Sequence, residues 1–167
     1  YQAQNEVTFY SSVSNSIRQA LEGQMATPYF PVSFESAACK RSFVDLESAP
    51  VASGGLTVHP FPLNHPQSAI GYRIESSGAV IVYASDLEHG HAALDSVLRD
   101  YAQNADVLVY DAQYTPEEYP SHRGWGHSTW QEGVRVASDA RVRQLVLFHH
   151  DPSHDDQFVF RMTQEAR

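Results

Sequence analysis

The chain has 167 residues, 42% of them apolar, which suits one domain with a real core. Twenty acidic against eleven basic residues give a formal net charge of -9; this argues against broad electrostatic binding to nucleic acid or an anionic membrane, but leaves a nucleotide substrate open, because a bound metal supplies its own positive charge. A lone cysteine, Cys39, excludes an internal disulfide and a cysteine-based structural zinc site and fits a reducing cytosol, while no apolar window reaches the roughly 18 residues of a membrane span and no signal peptide is visible.

In chain order, Glu6 to Tyr10 reads as a short strand. Ser12 to Met25 reads as an amphipathic helix with Val13, Ile17, Ala20 and Leu21 on one face. After the loop Thr27 to Pro31 comes a strand at Ser42 to Leu46 and a turn-rich connector at Ala49 to Gly55. Three strands follow closely: Leu56 to Leu63, Ile70 to Glu75 and Val80 to Ala84, the last two joined by a hairpin at Ser76-Ser77-Gly78. From Asp86 the rhythm changes to helix Ala92 to Ala102, strand Val107 to Tyr110, helix Thr129 to Ala140, strand Gln144 to Phe148 and a last helix from near Asp155. Solid apolar runs such as Val80-Ile81-Val82-Tyr83 predict strands buried on both faces, hence helices on both sides of the sheet.

The chemistry gathers at strand ends. His65 follows one strand, Asp86 another and His149 a third, and strand ends on one sheet edge are neighbours in space whatever their separation in sequence. Imidazole nitrogen and carboxylate oxygen suit zinc, manganese or iron. Taken singly, each of these residues is more simply an ordinary loop histidine or a capping aspartate. His150 adjoins His149, and neighbours at a strand end point opposite ways, so only one of the pair is a candidate ligand, with His149 favoured.

His127 stands at a helix start, where free N–H groups and the helix dipole favour an anion. Both Ser128/Gln131 and Thr129/Glu132 fit a capping box there, and Gly124 and Gly126 make the loop permissive. Asp111, at the end of its own strand, can orient His127 or a metal-binding histidine, or merely cap the following turn. His89, His91, His122 and His154 read as solvated loop or helix-start residues; Tyr29, Phe30, Trp125 and Trp130 read more readily as core than as pocket walls.

The order His65, Gly71-Tyr72-Arg73-Ile74, Ser85-Asp86, Tyr110-Asp111-Ala112, Gly126-His127-Ser128-Thr129 and Leu147-Phe148-His149 resembles the metallo-β-lactamase fold superfamily, most of all its ribonuclease Z-like phosphodiesterase branch, over roughly Leu56 to Asp156. The resemblance implies an α/β fold, the αββα sandwich of that superfamily. It implies that His65 and His149 bind metal, Asp86 bridges two metals, His127 assists at the scissile phosphate and Asp111 supports it. Two divalent metal ions are implied as cofactors, zinc first, with manganese or iron as alternatives.

The family's His-X-His-X-Asp-His signature does not occur in this chain. The resemblance therefore implies that residues 1–167 are the C-terminal portion of a single metallo-hydrolase domain, incomplete on the N-terminal side. The remaining ligands would come from the N-terminal part of the same domain or from a second chain; a degenerate family member is the third option. The implied activity is hydrolysis of a small-molecule or nucleotide phosphodiester by a metal-bound hydroxide at a dinuclear site. A carboxylic ester, lactone or thioester hydrolase of the same fold is the alternative within the class, and a non-catalytic binding or regulatory segment the alternative outside it. A cytoplasmic protein without membrane partners is expected, with a homodimer allowed.

Overall fold

The computed structural model describes residues 2–12, 16–46 and 49–167, and the chain divides into two units, Tyr1–Ala49 and Pro50–Arg167. In the first unit β1 (Glu6–Ser12) pairs in parallel with β2 (Lys40–Leu46), in a register that sets Phe9 opposite Phe43. Their rings stack at 5.3 Å, and Phe34 meets both edge-on, which gives this unit an aromatic core. The helix α1 (Ile17–Gln24) begins later than the sequence predicts. Ser12 belongs instead to the strand ladder, opposite Leu46, and the Ser16 hydroxyl accepts from the Gln19 amide as N-cap. Val13, expected on the apolar face of this helix, lies outside the described residues.

The second unit is a six-stranded sheet in the order β3-β4-β5-β6-β7-β8. Its strands are β3 (Val51–Ser53), β4 (Leu56–Leu63), β5 (Ala69–Ser76), β6 (Ala79–Ala84), β7 (Val107–Asp111) and β8 (Gln144–Phe148). The short β3 falls where sequence predicts only a connector. Gly54 and Gly55, at φ +56° and +82°, turn the chain back so that Ser53 pairs with Leu56. The pairs from β3 to β6 are antiparallel and those from β6 to β8 parallel, with α2 (Ala92–Ala102) and α3 (Trp130–Asp139) as the two crossovers. A last helix, α4 (Asp156–Glu165), is capped by the Asp155 carboxylate.

The core lies between this sheet and the crossover helices. Val82, Ala84, Leu108 and Tyr110 from the strands meet Leu98 and Ala102 of α2 and Val136 and Ala140 of α3. The expectation that β6 is buried on both faces fails. Ile81 and Tyr83 are 44% and 37% exposed, as is Phe148 at 44%. Both crossover helices pack on the face that carries Val82 and Ala84. The run Val80–Tyr83 therefore shows which side chains are apolar, but not what covers them.

The topology fixes where function can sit. β5 runs against its neighbours, so β4, β6, β7 and β8 all point the same way. Their carboxyl ends share one edge of the sheet, the edge at which open α/β sheets bind ligands. Asn64 and His65, Ser85 and Asp86, Asp111, and His149 stand at those four ends.

Candidate metal centre

At this edge one ligand atom from each of Asp86, Asp111, His127 and His149 lies within 4.8 Å of the other three. Asp86 and His149 hold their places in the left-handed backbone region, each at φ +60°. A non-glycine residue there costs of order 1–3 kcal/mol and persists where the surroundings over-determine it.

Asp111 is fully buried and its carboxylate is saturated. Oδ2 accepts from the amides of Asp86 and Leu87 and from His127 Nδ1 at 3.0 Å; Oδ1 accepts from the amides of Ser128 and Gln113. With five donors on it, this carboxylate orients its neighbours and has no lone pair to spare for a cation. It holds His127 by Nδ1, which leaves Nε2 as the nitrogen able to pass a proton outward. The hydrogen bond to Asp111 is also the first reason that the His127 imidazolium persists above the ordinary histidine range; burial opposes it, and the charges of Asp111, Asp86 and Glu88 add to it.

His149 is fixed by a different neighbour. The Gln113 amide nitrogen donates to the Tyr114 hydroxyl at 3.2 Å and lies 3.5 Å from the Asp151 carboxylate, an acceptor only. That turns Gln113 Oε1 toward His149 Nδ1, 3.1 Å away, so Nδ1 carries the hydrogen. In neutral His149 the Nε2 lone pair then faces Asp86 Oδ1 at 3.1 Å. Two acceptors so close repel unless a proton or a metal lies between them. Ligand bonds of about 2.0–2.1 Å at a tetrahedral angle set two donor atoms about 3.3 Å apart, so the Asp86–His149 pair fits a zinc-like ion.

Four of the five residues singled out in the sequence are thus brought together, and His65 stands beside them. Its ring is edge-on to His127 at 6.0 Å between centroids, and its Nδ1 accepts from the Gln67 amide. His65 packs against the backbone of Gly126, where a Cβ would come within 2.7 Å of its Nε2, and Gly126 itself sits at φ +89°. Only glycine satisfies both demands. Of the adjacent pair at the end of β8, His149 faces Asp86, while the buried Nδ1 of His150 has no hydrogen-bond partner among the described residues.

Of the two capping boxes, the Thr129 hydroxyl accepts from the Glu132 amide. Ser128 instead joins the Tyr110 hydroxyl, at 3.0 Å, to His89 Nδ1, at 2.8 Å. His89 is therefore half-buried and not solvated, and its burial pushes its pKa down. His154, expected at an exposed helix start, has a side chain only 5% exposed and bonds Glu118 at 3.0 Å. His122 stacks on Tyr114 at 4.3 Å between centroids. Trp125, Tyr29 and Phe30 are not core: they are 62%, 82% and 45% exposed.

Sequence reasoning missed Glu88 and Gln113. Gln113 follows Asp111 by two residues, and that spacing was its only signal. Glu88 is buried and accepts from the Gly124 and Gly126 amides and the Tyr119 hydroxyl. Burial pushes its carboxyl up, but these donors outweigh burial and hold it below the ordinary glutamate value.

Residues 2–150 match the family model for the beta-lactamase superfamily domain. An uncharacterized protein of Mycobacterium tuberculosis is 34% identical over 107 residues, 64% of this chain and 37% of that protein. A ribonuclease Z of Brevibacillus brevis is 34% identical over 80 residues, 48% of this chain and 24% of its own. The crystal structure of the metallo-beta-lactamase fold protein YhfI from Bacillus subtilis superposes with a TM-score of 0.71 at 15% identity, covering 98% of this chain and 60% of that one. The chain spans well under half the length of the curated relatives it matches.

Proposed function

This chain belongs to the beta-lactamase superfamily, and from that premise we propose that it is the metal- and proton-handling portion of a phosphodiesterase. The observation that carries the proposal is the 3.1 Å approach of Asp86 Oδ1 and His149 Nε2 beside a buried Asp111–His127 pair, with ligand atoms of all four residues within 4.8 Å of one another. The similarity to ribonuclease Z supports the substrate class, a nucleotide or small phosphodiester. The family match runs through both units, which supports reading residues 1–167 as part of one metallo-hydrolase domain. No helix of the described residues is long and apolar enough to cross a membrane, and a single buried Cys39 suits the cytoplasm.

Asp86 and His149, joined by His65, would hold a divalent metal, zinc first by the chemistry of the donors, and a second ion would be completed by residues outside this chain. Such ions supply Lewis acidity toward a phosphoryl oxygen and acidify a coordinated water. This chain's own residues do the rest. Asp111 keeps His127 protonated and aims it, and His127 Nε2 gives that proton to the departing oxygen. Gln113 fixes the His149 tautomer. The first turn of α3, behind Ser128 and Thr129, adds its dipole to the anionic side of the substrate.

The test uses full-length protein. Asp86→Ala and His149→Ala should lower zinc bound per chain. His127→Ala should keep the zinc and slow hydrolysis of the dinucleotide UpU by about 10²-fold or more. The same variant should slow bis-p-nitrophenyl phosphate less, because nitrophenolate leaves without a proton. Equal losses on both substrates would remove the leaving-group role, and ester or lactone turnover without phosphodiester turnover would replace the substrate class.

A further inference from the structure

Glu88 is a buried carboxylate that the scheme above does not use. Its backbone amide donates to the Asn64 carbonyl at 2.7 Å, and its own carbonyl accepts from the Asn64 side chain at 2.8 Å. Its side chain reaches a third loop. Oε1 accepts from the Tyr119 hydroxyl at 2.9 Å and the Gly124 amide at 2.8 Å; Oε2 accepts from Gly124 and Gly126 at 3.0 Å each. Asn64 precedes His65, Gly126 precedes His127, and Asp86 lies two residues before Glu88 itself. One residue therefore ties together the loops that carry three of the five candidate site residues.

We propose that Glu88 is a positioning residue for this reaction: it pins the glycine loop so that His127 enters the site at the height set by Asp111. Gly124 and Gly126 sit at φ +84° and +89°. Glycine adopts either sign of φ freely, and the Trp125 amide, between the two, bonds the His122 carbonyl at 3.1 Å; the Gly124 and Gly126 amides themselves are held by Glu88. Asp111 fixes the His127 ring and Glu88 fixes the backbone just before it. The same loop carries the exposed Trp125, between the two clamped glycines.

The proposal rests on the phosphodiesterase reading, and it demands reach and acceptor atoms rather than charge. Glu88→Gln keeps the length: its carbonyl oxygen at the Oε2 place can take both glycine amides and its NH₂ can donate to the Tyr119 hydroxyl, at the loss of the second acceptor that Gly124 finds on Oε1. Glu88→Asp keeps the charge but falls about 1.5 Å short. In full-length zinc-loaded protein, kcat on UpU should rank wild type, then Glu88→Gln, then Glu88→Asp, then Glu88→Ala. The alanine variant should lose about 10²-fold, the usual consequence of an ångström-scale misplacement, with KM and zinc content nearly unchanged. The ranking Asp above Gln, or loss of zinc in Glu88→Gln, would make Glu88 an electrostatic or ligand group and overturn the proposal.

Amide hydrogen exchange at Gly124 and Gly126 supplies a readout that needs no turnover. It should quicken at least tenfold in Glu88→Asp and little in Glu88→Gln. Should the wild type prove inert toward phosphodiesters, the functional reading falls while the exchange pattern still decides the clamp; unchanged exchange in Glu88→Asp sinks the clamp whatever the substrate. If Glu88→Ala does not fold, the Asp and Gln variants carry the comparison alone.

Discussion

Replacing Asp111 by Asn changes one atom and should damage both stability and the site. The carboxylate is fully buried and takes five N–H groups, three on Oδ2 and two on Oδ1. The new NH₂ must occupy one of these positions. At Oδ2 it confronts the amides of Asp86 and Leu87 and the His127 ring; at Oδ1 it confronts the amides of Ser128 and Gln113. Either way two backbone donors lose their acceptor. A buried unsatisfied donor costs about 1–3 kcal/mol, so the pair costs about 2–6 kcal/mol, a large share of a typical total of about 5–15 kcal/mol. Urea unfolding of metal-free protein reads this directly. The deficit depends on pH with a definite sign. His127 is held above its ordinary value chiefly by Asp111, so its contribution is complete below the ordinary histidine value and fades as pH rises through the raised one. The Asn variant should therefore be weakest relative to wild type in mild acid and partly recover in alkali. In turnover, the limb on which activity falls with rising pH should move to lower pH. A deficit under about 1 kcal/mol would mean that the donors find other partners, and the saturated-carboxylate reasoning would be wrong.

Other substitutions probe neighbouring features. Gly126→Ala places a methyl 2.4 Å from His65 Cδ2 at φ +89°; backbone strain of about 1–2 kcal/mol plus overpacking of about 1–3 kcal/mol should lower thermal stability and activity together, whereas Gly124→Ala, with open space around its Cβ position, should suffer the backbone cost alone. Glu118 is partly buried, which raises its pKa, yet the Thr115 amide and His154 outweigh that and hold it below the ordinary glutamate value. Its stabilising contribution is present above that ordinary value and is lost as pH falls through the depressed one. Denaturant titrations carried from neutral pH down to below the ordinary glutamate value should thus show a steeper acid loss in wild type than in Glu118→Gln; equal slopes would deny the Glu118–His154 pair a role.

The sequence carried the site further than the packing around it. Asp86, Asp111, His127 and His149 were legible because each ends an apolar strand or opens a helix, and parallel strands put such ends on one edge. Alternation allowed only one of His149 and His150 as a ligand without deciding which, and the φ of +60° at His149 has no sequence signal in a histidine. Glu88 was invisible because its partners are backbone amides some 36 and 38 residues away, which any sequence could supply. His154 was misjudged because its neighbours Asp155 and Asp156 are polar, while its burial comes from Glu118 and Phe158. Strand β3 was hidden because only three residues precede the Gly54-Gly55 turn, and the exposure of Ile81 and Tyr83 shows that apolar character in a strand does not say which face a helix will cover.

The most direct measurement is anomalous scattering from zinc in crystals of the full-length protein, recorded on both sides of the metal's absorption edge. A peak bonded to the Asp86 carboxylate and to His149 Nε2, with Asp111 still on His127 and His150 uncoordinated, is the expected result. Zinc seated on His150, or anywhere that leaves Asp86 and His149 facing each other unbridged, would contradict it.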